Sequence, residues 1–100
     1  MSDLHKTAVG YAEDLEQAYQ NGELYEALDD VLDVEYTLDS SFNLIGVELT
    51  LTYGGPNIFL STRYNRIEAY WGGEQVFVPV DRDVCDEVFA MYEDYLNSAR

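Results

Sequence analysis

The chain has 100 residues, 47% of them hydrophobic, and its 20 acidic residues against five lysines and arginines give a formal net charge of −15. This length corresponds to one domain, residues 1–100, and the hydrophobic and aromatic content excludes a disordered chain. The charge disfavours direct binding to DNA or to an anionic membrane, so the expected partner is a basic surface.

Two helices are predicted at the N-terminus. In residues 4–20 the apolar side chains recur every three or four positions, as on one face of an amphipathic helix, and Asn21-Gly22 is a typical helix end. The same spacing predicts a second helix from Glu23 to about Leu32. The outer faces of these helices carry Glu13, Asp14, Glu16, Glu23, Glu26, Asp29, Asp30 and, at the end of the second helix, Asp33.

From Val34 onward the apolar residues alternate with polar ones, which predicts β-strands. The predicted strands span residues 34–38, 44–53, 58–64, 67–71 and 75–80. Short connections favour an antiparallel meander of four or five strands, in which Asn65-Arg66 is a two-residue connection with a positive φ at Asn65. Pro79 cannot donate a backbone hydrogen bond, so the last strand is expected at an edge of the sheet.

A final helix is predicted after Asp81 or Asp83, either of which is a suitable capping residue. Its apolar stripe includes Cys85, and its outer face carries Asp86, Glu87, Glu93 and Asp94. An apolar sheet face needs a cover, and the helices need a surface to pack on. The predicted fold is therefore an α+β domain, with two N-terminal helices and one C-terminal helix covering the meander.

The acidic residues are unevenly distributed along the chain. Residues 1–35 hold ten acids and one lysine, and residues 76–100 hold six acids and two arginines. Residues 36–75, which form most of the meander, hold four acids and two arginines. A halophilic or merely solubilising surface would spread its acids over all elements, so this distribution favours a functional acidic surface on the helical layer.

Few residues suit catalysis or metal binding. Glu26, Asp29, Asp30 and Asp33 suggest a divalent cation site, but no EF-hand pattern is present, and a solvated acidic helix face is the alternative. His5 and Cys85 are single copies, which removes most nucleophile–base pairs and any closed zinc site. We therefore predict no enzyme activity, no metal and no cofactor, and we place Cys85 in the core.

The N-terminus shows no apolar run of the kind found in a signal peptide. No stretch approaches the roughly 18 apolar residues of a membrane span, and the lone Cys85 cannot form an internal disulfide. A cytoplasmic location without membrane contact is therefore expected.

Two glycine turns stand out. Residues 54–57, Gly-Gly-Pro-Asn, lack the ending of a phosphate-binding P-loop, which favours a simple hairpin connection. Tyr70 and Trp71 precede the second turn, where they are either interface anchors or part of the core.

The acidic helix faces suggest nucleic-acid mimicry. Double-stranded DNA presents one charge per about 1.7 Å of axis, and carboxylates repeated along helices approximate that density. Such a surface would occupy the basic groove of a nucleic-acid-binding protein. The alternative is an interaction module that binds through an uncovered sheet face bearing Phe59, Tyr70 and Phe77.

The size, the charge and the predicted acidic helices over a sheet resemble small phage and mobile-element proteins that block host defence. These are anti-CRISPR and anti-restriction proteins that imitate nucleic acid. The stretches TYGGPNI and YWGG are similar to those of small bacterial and mobile-element proteins. The resemblance implies a non-enzymatic inhibitor that acts in a bacterial cytoplasm on a basic complex such as a CRISPR effector. The resemblance assigns no functional role to any individual residue of this chain.

Overall fold

A computed structural model describes residues 2–99; Met1 and Arg100, the outer residues of the predicted domain, lie outside this range. The elements are α1 (Asp3–Gln20), α2 (Leu24–Ala27), β1 (Asp33–Leu38), β2 (Leu44–Thr52), β3 (Asn57–Ser61), β4 (Arg66–Trp71), β5 (Glu74–Pro79) and α3 (Arg82–Ala99). The strands form one antiparallel sheet in the order β1-β2-β3-β4-β5. The predicted α+β meander is confirmed, and the described residues form five strands.

The register of the sheet separates an apolar face from a more polar one. One row of paired residues crosses all five strands on the helix side: Val34, Leu49, Leu60, Ile67 and Val78. The four members of this row on β2 to β5 are buried. Their alternation with polar neighbours is the two-residue period that the sequence shows. We call the opposite, helix-free side of the sheet the open face.

Helix α1 packs across β4 and β5. It begins at Ser2, whose hydroxyl accepts a hydrogen bond from the backbone N–H of His5 at 3.1 Å. Its buried side chains recur every three or four residues: Leu4, Ala8, Ala12 and Leu15. The two alanines add little bulk, so the helix backbone lies close to the sheet and the leucines fill the remaining space.

Asp81 and Glu16 together join the start of α3 to α1. The Asp81 carboxylate accepts a hydrogen bond from the backbone N–H of Asp83 at 3.0 Å. The Glu16 carboxylate in turn accepts one from the backbone N–H of Asp81 at 3.0 Å. This contact connects residues 65 positions apart and places α3 on the helix side of the sheet.

Cys85 is buried in the core, as predicted. Burial, followed by the charges of Asp86, Asp81 and Glu16, raises the pKa of its thiol to about 12. Because only the thiolate reacts, we expect the folded protein to react with a disulfide reagent about a thousandfold more slowly than an exposed thiol. Absorbance of the released chromophore measures this rate. Denaturant should restore rapid labelling, and rapid labelling of the folded protein would contradict the burial.

The second helix is shorter than predicted: α2 is a single turn, and residues 28–30 form a turn rather than helix. The backbone N–H of Leu32 donates to the carbonyl of Thr50 at 2.9 Å, which draws the chain into the sheet before a longer helix can form. Asp29 and Asp30 therefore lie in the turn, and Asp33 lies in β1. Leu32, at the end of the predicted helix, is 55% exposed.

The third strand also ends early, at Ser61, and residues 62–65 form a four-residue turn before β4. Thr62 explains the early end, because its N–H donates to the Val47 carbonyl while its hydroxyl accepts from the Val47 N–H. Arg66 is consequently the first residue of β4 rather than part of a two-residue connection. The predicted positive φ at Asn65 is confirmed at 53°.

Glycine and proline residues shape the remaining turns and edges. Gly72 and Gly73 both have positive φ, 56° and 85°, as a tight two-residue hairpin turn requires. Gly46 in β2 leaves room for the chain after β3, because a Cβ at this position would meet the Cβ of Arg63 at 2.9 Å. Pro79 lies in β5, and β5 is an edge strand, as predicted.

Candidate functional site

The acidic residues predicted to contact a partner lie mainly at exposed positions. We call the following twelve residues the acidic layer: Glu13, Asp14, Glu16, Glu23, Glu26, Asp29, Asp30, Asp33, Asp86, Glu87, Glu93 and Asp94. Glu16 and Glu93 are half-buried, and the other ten are exposed. The helical periodicity therefore predicted the outward direction of most of these side chains, although Glu23, Asp29, Asp30 and Asp33 lie outside helices.

Few cations among residues 2–99 pair with the acidic layer. Within residues 2–99 the ion pairs are Arg66–Glu68, which lies on the open face, and Arg82–Asp86. The second pair has an N–O distance of 3.8 Å between largely exposed side chains, so it neutralises Asp86 only weakly. Glu16 is also occupied in part, by the backbone N–H of Asp81. The remaining carboxylates contribute an unneutralised negative field.

The turn at residues 28–30 brings the separate acidic segments together. A cleft of about 300 Å³ lies between this turn, α1 and β2, and Asp14 and Asp30 both line it. A second cleft, of about 260 Å³, has Asp29 on one side and Tyr92 and Tyr95 of α3 on the other. The acidic layer is therefore interrupted by two partly apolar concavities, which the sequence did not predict.

Tyr70 and Trp71 do not form one patch. Neighbouring residues in a strand point to opposite faces of the sheet. Tyr70 lies on the open face, whereas Trp71 lies on the same side of the sheet as the buried Ala69. Trp71 is 56% exposed and lines a cleft with Leu4 and Thr7 at the start of α1. Only Tyr70 therefore belongs to the predicted aromatic surface.

The open face carries the aromatic cluster expected for the alternative function. The rings of Phe59 and Tyr70 meet edge to face with centroids 5.9 Å apart, and those of Tyr70 and Phe77 do so at 6.3 Å. The Arg66 guanidinium lies 3.9 Å from the centroid of the Phe77 ring. The three rings and the cation form a continuous surface across β3, β4 and β5.

A carboxylate network missed by the sequence reasoning lies within this cluster. Glu68 is only 7% exposed; it accepts a hydrogen bond from Arg66 Nε at 2.8 Å and one from the Tyr70 hydroxyl at 3.4 Å. Burial, and then the charges of Glu68 and Glu35, raises the pKa of the neighbouring Glu48. The Arg66 guanidinium pairs with Glu68 and offsets part of its negative charge. Arg66, Glu68 and Tyr70 lie on β4 and share one face through the two-residue period, whereas Glu48 lies on β2 and only the register brings it close to them.

Replacement of Glu48 with glutamine should stabilise the protein at neutral pH. The raised pKa means that folded Glu48 holds its proton more tightly than unfolded Glu48. Its contribution to stability is therefore present below the ordinary glutamate pKa and is lost as the pH rises through the raised value. Since Glu48 is partly solvated, we expect a gain of about 0.5 kcal/mol near pH 7 that disappears near pH 4.

Thermal unfolding of the Glu48→Gln protein between those pH values measures the effect. Glu23→Gln is the matched control, because it removes the same charge from an exposed position. Equal stabilisation by both variants at neutral pH would show that only the net charge matters.

Among residues 2–99, no group of three or more histidine, cysteine or acidic side chains is placed to hold a metal ion. Over the same range, no helix is both long and apolar enough to cross a membrane. The chain shows no significant match to a known protein-family model, to a characterised protein or to a solved structure.

Proposed function

We propose that this protein is a non-enzymatic inhibitor whose acidic layer occupies the basic nucleic-acid-binding surface of another protein. A complex of bacterial host defence, such as a CRISPR effector or a restriction enzyme, is the proposed target. The observation that carries this proposal is the exposure of the acidic layer together with its near lack of cationic neighbours within residues 2–99.

The spacing of carboxylates on α3 supports this proposal. Glu87 and Asp94 are seven residues apart, which is close to two helical turns, so they share one face at an axial separation of about 10 Å. Both are exposed. Carboxylates in such a row accept charge-assisted hydrogen bonds from arginine and lysine, as phosphates do. The net charge of −15 also steers a basic partner toward the protein at long range.

Competition for nucleic acid tests the proposal. Labelled duplex DNA bound to a purified CRISPR effector or restriction enzyme is titrated with the protein, and fluorescence anisotropy reports displacement. We expect displacement at low salt and a loss of potency as the salt concentration rises, because salt screens the exposed charges. If a saturating amount leaves DNA binding by these candidate targets unchanged at low salt, the proposal fails.

The aromatic cluster on the open face supports a second candidate, a module that binds a protein partner through this face. Phe77 is 42% exposed, and its ring adjoins the Tyr70 ring and the Arg66 guanidinium. Under this alternative, Phe59→Ala or Tyr70→Ala weakens binding while charge reversal of the acidic layer leaves it almost intact. Mimicry predicts the opposite pattern. Binding of the same effector by each variant separates the two functions.

A further inference from the structure

The cleft between α3, β1 and the turn at residues 28–30 has an unusual lining. Three tyrosines and the Asp29 carboxylate surround an aliphatic floor; the tyrosines are Tyr25, Tyr92 and Tyr95, and the floor is formed by Leu28, Val31, Val34 and Met91. We call it the tyrosine cleft; its volume is about 260 Å³. That space accommodates one long side chain and is too small for a folded element.

The tyrosine side chains of the cleft are accessible to a ligand. Tyr25 is 73% exposed and Tyr95 is 70% exposed. Within residues 2–99, the ring pairs are Phe59–Tyr70 and Tyr70–Phe77, and no hydrogen bond engages the hydroxyls of Tyr25, Tyr92 or Tyr95. Burial raises the pKa of Tyr92, so its phenol stays neutral at physiological pH. The cleft therefore offers aromatic rings, and phenol oxygens that have no hydrogen-bond partner among residues 2–99.

The negative charge around the cleft favours a cationic occupant. Among residues 2–99 the lining includes Asp29 and no lysine or arginine, and the chain has a net charge of −15. An apolar side chain would cover the Asp29 carboxylate and the phenol groups without giving them hydrogen bonds, which is unfavourable. A second copy of this acidic chain would bring like charge to the cleft. A guanidinium satisfies the carboxylate and attracts the aromatic rings.

We propose that the tyrosine cleft receives an arginine side chain of the basic partner, a conclusion that rests on the proposed function for the character of that partner. The guanidinium lies against the tyrosine rings and donates hydrogen bonds to the Asp29 carboxylate. The aliphatic stem of the arginine covers the apolar floor that includes Met91. The cleft thus supplies a specific contact within a surface that otherwise recognises charge.

Three capped tripeptides test the proposal: glycine-arginine-glycine and its counterparts with citrulline or leucine at the centre. Citrulline keeps the shape of arginine but lacks its charge. The peptides are titrated into the ¹⁵N-labelled protein, and the amide signals of Asp29, Tyr25 and Tyr95 are followed. We expect saturable shifts with arginine, binding at least about fivefold weaker with citrulline, and none with leucine.

Two other outcomes would overturn the assignment. Leucine that binds as tightly as arginine would identify an apolar anchor site. Shifts of the same amides with protein concentration alone would identify a second copy as the occupant.

The variants Tyr25→Leu and Tyr95→Leu keep an apolar side chain but remove the aromatic ring and the hydroxyl. Each should weaken arginine-peptide binding about fivefold, with little effect on thermal unfolding because both residues are exposed. Tyr53→Leu is the matched control: Tyr53 is 55% exposed but lies in the connection between β2 and β3, outside the cleft. Cleft variants that bind the arginine peptide as the unmodified protein does would refute the proposal.

The peptide titration and the DNA competition test the two proposals separately. If the unmodified protein binds the arginine peptide in the cleft but displaces no DNA from the candidate targets, the proposed inhibitor function is refuted and the arginine site is supported. If it displaces DNA while the arginine peptide shifts no amide signal of the cleft, the proposed inhibitor function is supported and the arginine site is refuted.

Discussion

Replacing Arg66 with methionine should destabilise the protein by about 2–3 kcal/mol, because the Glu68 carboxylate loses its cation while it remains buried. Arg66 Nε lies 2.8 Å from Glu68 Oε2, and the two side chains are 32% and 10% exposed. Loss of one partner of a fully buried pair costs about 3–5 kcal/mol, and we expect less here since Arg66 is partly solvated. Denaturant unfolding measures the change in the free energy of unfolding.

The double variant Arg66→Met with Glu68→Gln separates the buried charge from the packing. Glutamine removes the charge that lost its partner, so the double variant should regain most of the lost stability. The matched control is Arg82→Met, which removes the exposed cation of the other ion pair and should change stability little. An Arg66→Met protein as stable as the Arg82→Met protein would contradict a structural role for the network.

Much of the fold follows from local patterns in the sequence. The two-residue alternation around Leu49 and Leu60 predicted both the strands and the buried face, and Pro79 predicted an edge strand. The errors lie where a distant backbone group competes with the local pattern. The Thr50 carbonyl ends the second helical segment by binding Leu32, and Val47 ends the third strand by binding Thr62. Both contacts depend on register, which the sequence does not reveal.

The candidate site, like the fold, was predicted from the sequence only in part. Exposure of most acidic residues on α1 and α3 follows from helical periodicity alone, with Glu16 and Glu93 half-buried as the exceptions in the acidic layer. The tyrosine cleft does not follow from it, because Tyr25 and Asp29 are only four residues apart but Tyr92 lies on α3, which meets them only where it passes the turn before β1. A periodic pattern predicts which side chains point outward. It does not predict which outward side chains meet.

Neutralising two carboxylates on α3 should weaken the proposed inhibition by at least about tenfold. The variant Glu87→Gln with Asp94→Asn removes two exposed charges from one helix face and keeps nearly the same side-chain shapes. A hydrogen bond to a charged group contributes about 1.5–3 kcal/mol, and about 1.4 kcal/mol corresponds to a factor of ten in affinity. The concentration that displaces half of the labelled DNA from the effector measures the loss.

The matched control removes the same charge from elsewhere on the protein. Glu35→Gln with Glu74→Gln also removes two of the charges that make up the net charge of −15, at exposed positions on β1 and β5. If the α3 face contacts the target, the control retains most of its potency while the α3 variant loses it. Equal losses would mean that only the total charge attracts the target, because long-range attraction depends on net charge and contact depends on position. The salt dependence provides a second criterion: a contact variant loses affinity even at low salt, where long-range attraction is strongest.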